Sequence, residues 1–268
     1  MSPSNHPQHL NPEIAITRRG LLTFLIGSVI SLTLLHSLAV YLQLVLKRDF
    51  AYGIVPLFHF DREGNFPTLY SSFALAIASG LSFLIYRWRK TIRDGNSKPW
   101  IVLAAMLTFL AIDENASLHD QLDYILTPML ETSGWLAWPW VLPYALLAGL
   151  FTIVYLPFYL RMPFRYQAIF GIAAILYVVG TLGLEMGGAV ATRNYGEESL
   201  NYALLVTIEE LMEMSAIILT IHGLAKYITD ECNGFMIRFT VHDSHAVAIP
   251  SGTMETIAEA PGKQGAAE

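Results

Sequence analysis

Six apolar stretches, each long enough to cross a bilayer, constrain this chain more than any other feature. They run at about 20–46, 68–88, 99–120, 137–160, 166–189 and 200–226. A membrane helix needs roughly 17–25 apolar residues, so the expected fold is all-α: a bundle of six transmembrane helices. The 268 residues are 54% hydrophobic and only 14% charged, a balance common in polytopic membrane proteins and rare in soluble domains. Short polar loops join the stretches and no internal repeat is visible, so one membrane domain at 20–226 is expected. A polar segment, 1–19, precedes it. A Gly- and Pro-bearing tail, 227–268, follows and is expected to be largely disordered.

The loops set an orientation. With the N-terminus in the cytoplasm, Arg18, Arg19, Arg87, Arg89, Lys90, Arg93, Lys98, Arg161, Arg165, Lys226, Arg238 and Lys263 fall inside. Only Lys47, Arg48, Arg62 and Arg193 fall outside. The excess of positive charge on cytoplasmic loops favours this choice, which puts both termini in the cytoplasm. A multi-pass protein of the bacterial inner (plasma) membrane is expected. Trp88, Trp100, Trp135, Trp138 and Trp140 lie at the ends of the stretches, where indole rings prefer the headgroup layer. TRRGLLTFL carries the two arginines and apolar run of a twin-arginine export signal. No small-residue cleavage site follows, so the arginines are taken as an anchor for the first helix.

Several carboxylates interrupt the apolar stretches: Asp113 and Glu114 in the third, Glu185 in the fifth, and Glu209, Glu210 and Glu213 in the sixth. An ionised acid at membrane depth costs a few kcal/mol or more and marks a functional site by default. No Lys or Arg within the stretches can pair with them. At a rise of about 1.5 Å per residue, Asp113 and Glu114 stand roughly 20 Å from the cytoplasmic end. Glu209 and Glu210 stand roughly 14 Å below the outer surface, at a level that His36 also reaches. Glu185 is expected to close the fifth helix near that surface. Glu209, Glu210 and Glu213 share an arc of roughly 100°, so all three can face one interior. His119 points away from Asp113 and Glu114 in a regular helix. It joins them only if the helix bulges or unwinds near residue 117. Gly180, Gly183, Gly187 and Gly188 have spacings that let neighbouring backbones approach.

Crowded carboxylates cannot all ionise without a cation, and bundles with inward Glu and His are an established way to hold metal. The candidate ligands are Asp113, Glu114, His119, Glu185, Glu209, Glu210 and Glu213, with Glu114 and Glu210 the candidate catalytic pair. The oxygen-rich set suits iron, manganese, magnesium or calcium, and zinc if His119 takes part. A divalent metal ion there could serve hydrolytic or oxidative chemistry on a lipid-like or small amphipathic substrate drawn from the membrane lipid. The alternative is a proton- or cation-coupled transporter, since intramembrane acids also mark ion pathways. A third class is structural, with protonated acids bonding across helices. His59, Asp61, Arg62 and Glu63 are expected to form a polar lid in the first external loop. His222, the HDSH run at His242–His245, Met212 and Met214 have ordinary interfacial, tail and core readings. The single cysteine, Cys232, excludes an intrachain disulfide and a cysteine metal site. Basic clusters that would suit nucleic acid are absent.

The motifs IDENASLHD and TIEELMEM resemble a family of bacterial multi-pass membrane proteins. Its members carry an Asp-Glu…His motif and a later Glu-Glu-x-x-Glu motif, and some bear a multidrug-transporter label. The resemblance implies functional roles for Asp113, Glu114, His119, Glu209, Glu210 and Glu213 and brings no established reaction. Membrane hydrolases of the alkaline ceramidase type hold zinc with paired histidines in a late helix. Those histidines are missing here.

Overall fold

Local chemistry starts the helices where the apolar runs begin. Thr17 caps the first helix, its hydroxyl accepting the Gly20 N–H at 3.1 Å. Asn65 does the same for the third helix through Thr68 N–H at 3.1 Å, with Pro67 in the first turn. Ser199 caps the last helix through Tyr202 N–H at 3.2 Å. The computed structural model describes residues 17–232, which form helices joined by turns and loops, with no strand among them. The long elements are α1 (Arg18–Leu44), then the short α2 (Ile54–Phe58), and α3 (Phe66–Thr91). After them come α4 (Lys98–Ala116), α5 (Leu118–Leu126), α6 (Val141–Tyr159), α7 (Phe164–Val178), α8 (Glu185–Tyr195) and α9 (Leu200–Glu231).

Five segments are long and apolar enough to cross a membrane: α1, α3, α4, α6 and the continuous run Phe164–Tyr195. Their outer surface is apolar, with Leu34, Phe73, Leu146, Ile153 and Val154 each more than half exposed. Ser28, Ser31 and Ser37 on α1 turn their hydroxyls onto the carbonyl four residues back, at 2.8–2.9 Å. That satisfies these three hydroxyls within the helix itself. α9 packs against α1, α3, α7 and α8, and its buried residues include Met214, Ile217, Ile221 and Leu224. α6 is the least buried of the long helices.

Several boundaries differ from the sequence expectation. The third stretch, expected to run to 120, stops at Ala116, because Ser117 takes a left-handed conformation with φ 48° and ψ 49°. The fifth runs past 189 to Tyr195, with a π-helical segment at Val179–Leu184. Glu185 therefore lies ten residues before the helix end rather than closing it. α9 continues to Glu231, so the first residues of the expected tail are helical. Trp100 and Trp140 are 0% and 4% exposed, enclosed by neighbouring side chains, whereas Trp135 is 60% exposed. Arg238, Lys263 and the His242–His245 run lie outside the described residues.

At the end of the bundle that carries most of the basic residues, three of them are paired with acids. Arg89 pairs with Asp94 and bonds Tyr227, Lys226 meets Asp230 at 2.8 Å, and Arg165 meets Glu231 at 2.7 Å. The opposite end is different.

Candidate functional site

There a cavity of about 270 Å³ opens between the 59–65 loop, α4, α5, the start of α6, the π segment, α8 and α9. Nine carboxylates line it: Asp61, Glu63, Glu114, Asp120, Asp123, Glu185, Glu209, Glu210 and Glu213. Among the described residues one imidazole, His119, joins them, and no Lys or Arg does. Aromatic walls come from Phe60, Trp138, Trp140, Tyr177 and Tyr202.

α9 supplies the deep side. Glu209, Glu210 and Glu213 all line the cavity, as their shared helical arc requires. Glu209 is the most enclosed of them, 9% exposed. Glycine permits this packing: a Cβ on Gly180 would lie 3.1 Å from Glu213 Cγ and 3.4 Å from the Glu209 carbonyl. Gly188 likewise leaves room for the Trp138 ring, which a Cβ would approach to 3.0 Å. Gly183, by contrast, meets only its own helix. From the other walls come Glu114, in the last turn of α4, and Glu185, whose Oε1 accepts the Trp140 indole N–H at 3.2 Å.

The break at Ser117 brings His119 to the cavity. Asp113 holds that break: its Oδ1 accepts the His119 backbone N–H at 3.0 Å and the Tyr144 hydroxyl at 2.6 Å. An N–H at the start of α5 that lacks an intrahelical partner is thereby satisfied. A left-handed non-glycine residue costs roughly 1–2 kcal/mol, which these bonds offset. Asp113 is buried and is not among the cavity-lining residues. Its Oδ2 lies 3.5 Å from His119 Nδ1. Of the sequence candidates, then, Glu114, His119, Glu185, Glu209, Glu210 and Glu213 meet in one cavity, and Asp113 stands behind His119.

His36 does not join them. Its ring is 1% exposed and both nitrogens are used. Nδ1 accepts the Phe60 N–H at 3.0 Å, so Nε2 carries the proton and donates to Thr207 Oγ1 at 2.9 Å. The Thr207 hydroxyl in turn donates to the Ala203 carbonyl at 2.6 Å. The ring also stacks on Phe60 at 4.0 Å. His36 pins the 59–65 loop to the bundle, and that loop contributes acids which sequence reasoning placed only in a lid. Asp61 Oδ1 accepts the Tyr202 hydroxyl at 2.6 Å, and Glu63 Oε1 lies 3.8 Å from His119 Nε2. Asp120 and Asp123, just past the break, complete the set. His59 is buried and is not among the cavity-lining residues.

His119 lies beyond the end of the α4 span. Burial alone would lower its pKa, but the facing Asp113, Asp120 and Glu63 carboxylates outweigh it and lift the imidazole to about 9. A histidine with a raised folded pKa contributes stability that is complete below its unfolded value, about 6.5. That contribution is lost as pH rises through about 9. Metal-stripped protein in detergent is therefore expected to lose thermal stability across this window, and His119→Gln is expected to flatten the decline. Equal decline in both proteins would contradict the assignment.

Fold and cavity together define an all-helical protein with five membrane-length segments and an acidic chamber near one end of them. The family model described as "Domain of unknown function (DUF8692)" matches residues 23–226, and the chain belongs to that family. No curated protein and no solved structure matches it.

Proposed function

We propose that this is a multi-pass enzyme of the bacterial inner membrane that binds a divalent metal ion in the acidic cavity and acts on a lipid-like substrate. α9 is the sixth span. Its acids interrupt the apolar run, yet Glu209, Glu210 and Glu213 line the cavity rather than the outer surface, so a lipid-facing charge is avoided. Six spans leave both termini on one side, and the basic loops favour the cytoplasm. A reporter fused after Lys226 is expected to behave as cytoplasmic, and one inserted between Glu131 and Trp135 as external. The reverse pattern would place the cavity at the cytoplasmic face and remove the outer-leaflet reading.

The observation that carries the metal reading is nine cavity carboxylates with no Lys or Arg among the lining residues. Like charges at this density raise one another's energy steeply in a low-dielectric site, and a divalent cation relieves that cost. Glu114, Glu185, Glu209, Glu210 and Glu213 supply a hard, oxygen-only donor set suited to iron(II), manganese or magnesium. A bound ion would supply Lewis-acid activation at the reacting bond. Glu114 and Glu210, approaching from different helices, are the proposed proton acceptor and donor. The aromatic walls and the apolar exterior fit a substrate with an apolar tail. Glu210→Gln is the test: it keeps shape, removes the exchangeable charge, and is expected to leave folded protein whose metal-dependent turnover of membrane lipids is lost.

Cation-coupled transport is the second reading. The specific observation in its favour is the pair of helix irregularities beside the cavity, at Ser117 and at Val179–Leu184, since interrupted helices line ion sites in transporters. Ion-dependent substrate flux in liposomes, with no chemical change in the substrate, would favour it over the enzyme.

A further inference from the structure

We propose that the cavity has a second metal seat at its mouth, distinct from the deep glutamates, built from Glu63, His119 and Asp120 with Asp113 as the positioning residue behind the imidazole. The inference rests on the metal reading above and adds a nitrogen-containing site to it. One ligand atom from each of the three residues lies within 4.8 Å of the other two. His119 Nε2 stands 3.7 Å from Asp120 Oδ1 and 3.8 Å from Glu63 Oε1. Those separations are too long for hydrogen bonds. They are the spacing of donors around one ion: two ligands each about 2.0–2.2 Å from a metal stand roughly 3–4 Å apart.

A second feature independent of the acids points the same way. His119 is not left to rotate. Its backbone N–H is fixed on Asp113 Oδ1, its Nδ1 faces Asp113 Oδ2 at 3.5 Å, and its ring lies against Trp140 at 4.9 Å. Tyr144 in turn holds Asp113. Nε2, with no hydrogen-bond partner among the described residues, is left aimed at the two carboxylates. A carboxylate behind one imidazole nitrogen, fixing ring and tautomer so that the other nitrogen can ligate, is the usual outer support of a histidine metal ligand. Glu63 Oε1 faces His119, while its Oε2 lies 3.4 Å from the Thr68 hydroxyl, whose hydrogen has a nearer acceptor in Asn65 Oδ1 at 3.1 Å. Three protein ligands leave positions open for water or substrate, as in catalytic sites. The imidazole makes this seat one for zinc, iron(II) or manganese rather than calcium.

Two measurements on full-length protein in detergent test the seat. The first loads native protein with Cu²⁺ and records electron spin-echo modulation, which detects an imidazole nitrogen bound to the ion without any substitution. Modulation from one imidazole, lost in His119→Gln, is expected. The second titrates Zn²⁺ into native protein and into His119→Gln, Asp113→Asn and Glu114→Ala/Glu210→Ala. Native protein is expected to bind two ions. His119→Gln is expected to keep one, and Asp113→Asn to weaken that seat by roughly 10- to 100-fold without removing the other. Metal bound with no imidazole signal, and unchanged in His119→Gln, overturns the mouth seat while the deep site stands. One ion that depends on His119 and not on Glu114 or Glu210 keeps the mouth seat and overturns the deep one. No metal at all overturns both.

Discussion

Glu114→Ala/Glu210→Ala is expected to bind one divalent ion fewer per chain than the native protein and to lose the matching share of metal-dependent stabilisation. Ligand binding to the folded state alone stabilises it by about 2.7 kcal/mol when free metal is at 100 times Kd. That increment from the deep seat should vanish in the double variant. In the absence of metal the comparison reverses: removing two acids from a cavity of nine carboxylates relieves repulsion in a low-dielectric site. Metal-stripped double variant is therefore expected to be at least as stable as metal-stripped native protein. Thermal unfolding in detergent, with and without metal, reads both effects. An unchanged metal-dependent shift would mean that Glu114 and Glu210 do not hold the ion.

His36→Ala is expected to destabilise the protein by roughly 3–5 kcal/mol, although His36 does not itself line the cavity. Two costs add. The Phe60 N–H loses its acceptor inside the fold, which costs roughly 1–3 kcal/mol for a buried donor. Truncation also opens a hole where a ring that is 1% exposed was stacked on Phe60, a few kcal/mol more by analogy with other large-to-small core changes. The 59–65 loop should then loosen, and Asp61 and Glu63 with it. Faster hydrogen exchange at the Phe60 amide, together with weaker metal binding, is the expected signature. A loss below about 1 kcal/mol with unchanged exchange would show that the loop is held elsewhere.

These two residues also show what the sequence could and could not carry. The deep acids were legible because a charge inside a bilayer-length apolar run has few innocent explanations, and because Glu209, Glu210 and Glu213 share a helical face. His36 was legible as a polar residue at the right level but not as a loop anchor, since its partner Phe60 is 24 residues away. The helix break at Ser117 has no Gly or Pro to announce it. It is imposed by Asp113 and Tyr144 from the tertiary structure, and only with it does His119 reach the cavity. Asp61, Glu63 and Asp123 sit outside the apolar stretches and Asp120 is the last residue of one, where acids are ordinary, so little local distinguished them. Trp100 and Trp140 were legible as helix-end rings but not as packed ones, since their partners Tyr227 and Tyr144 come from the tertiary structure.

Elemental analysis of the purified, detergent-solubilised protein bears most directly on the claim that the acidic cavity is a metal centre. The protein is purified without added chelator, dialysed against metal-free buffer, and assayed for iron, manganese, magnesium, calcium and zinc per chain. At least one divalent ion per chain is expected, removable by strong chelator, restored by adding the metal back, and reduced in Glu114→Ala/Glu210→Ala. Folded native protein that holds no divalent metal and takes none up on titration would contradict the account.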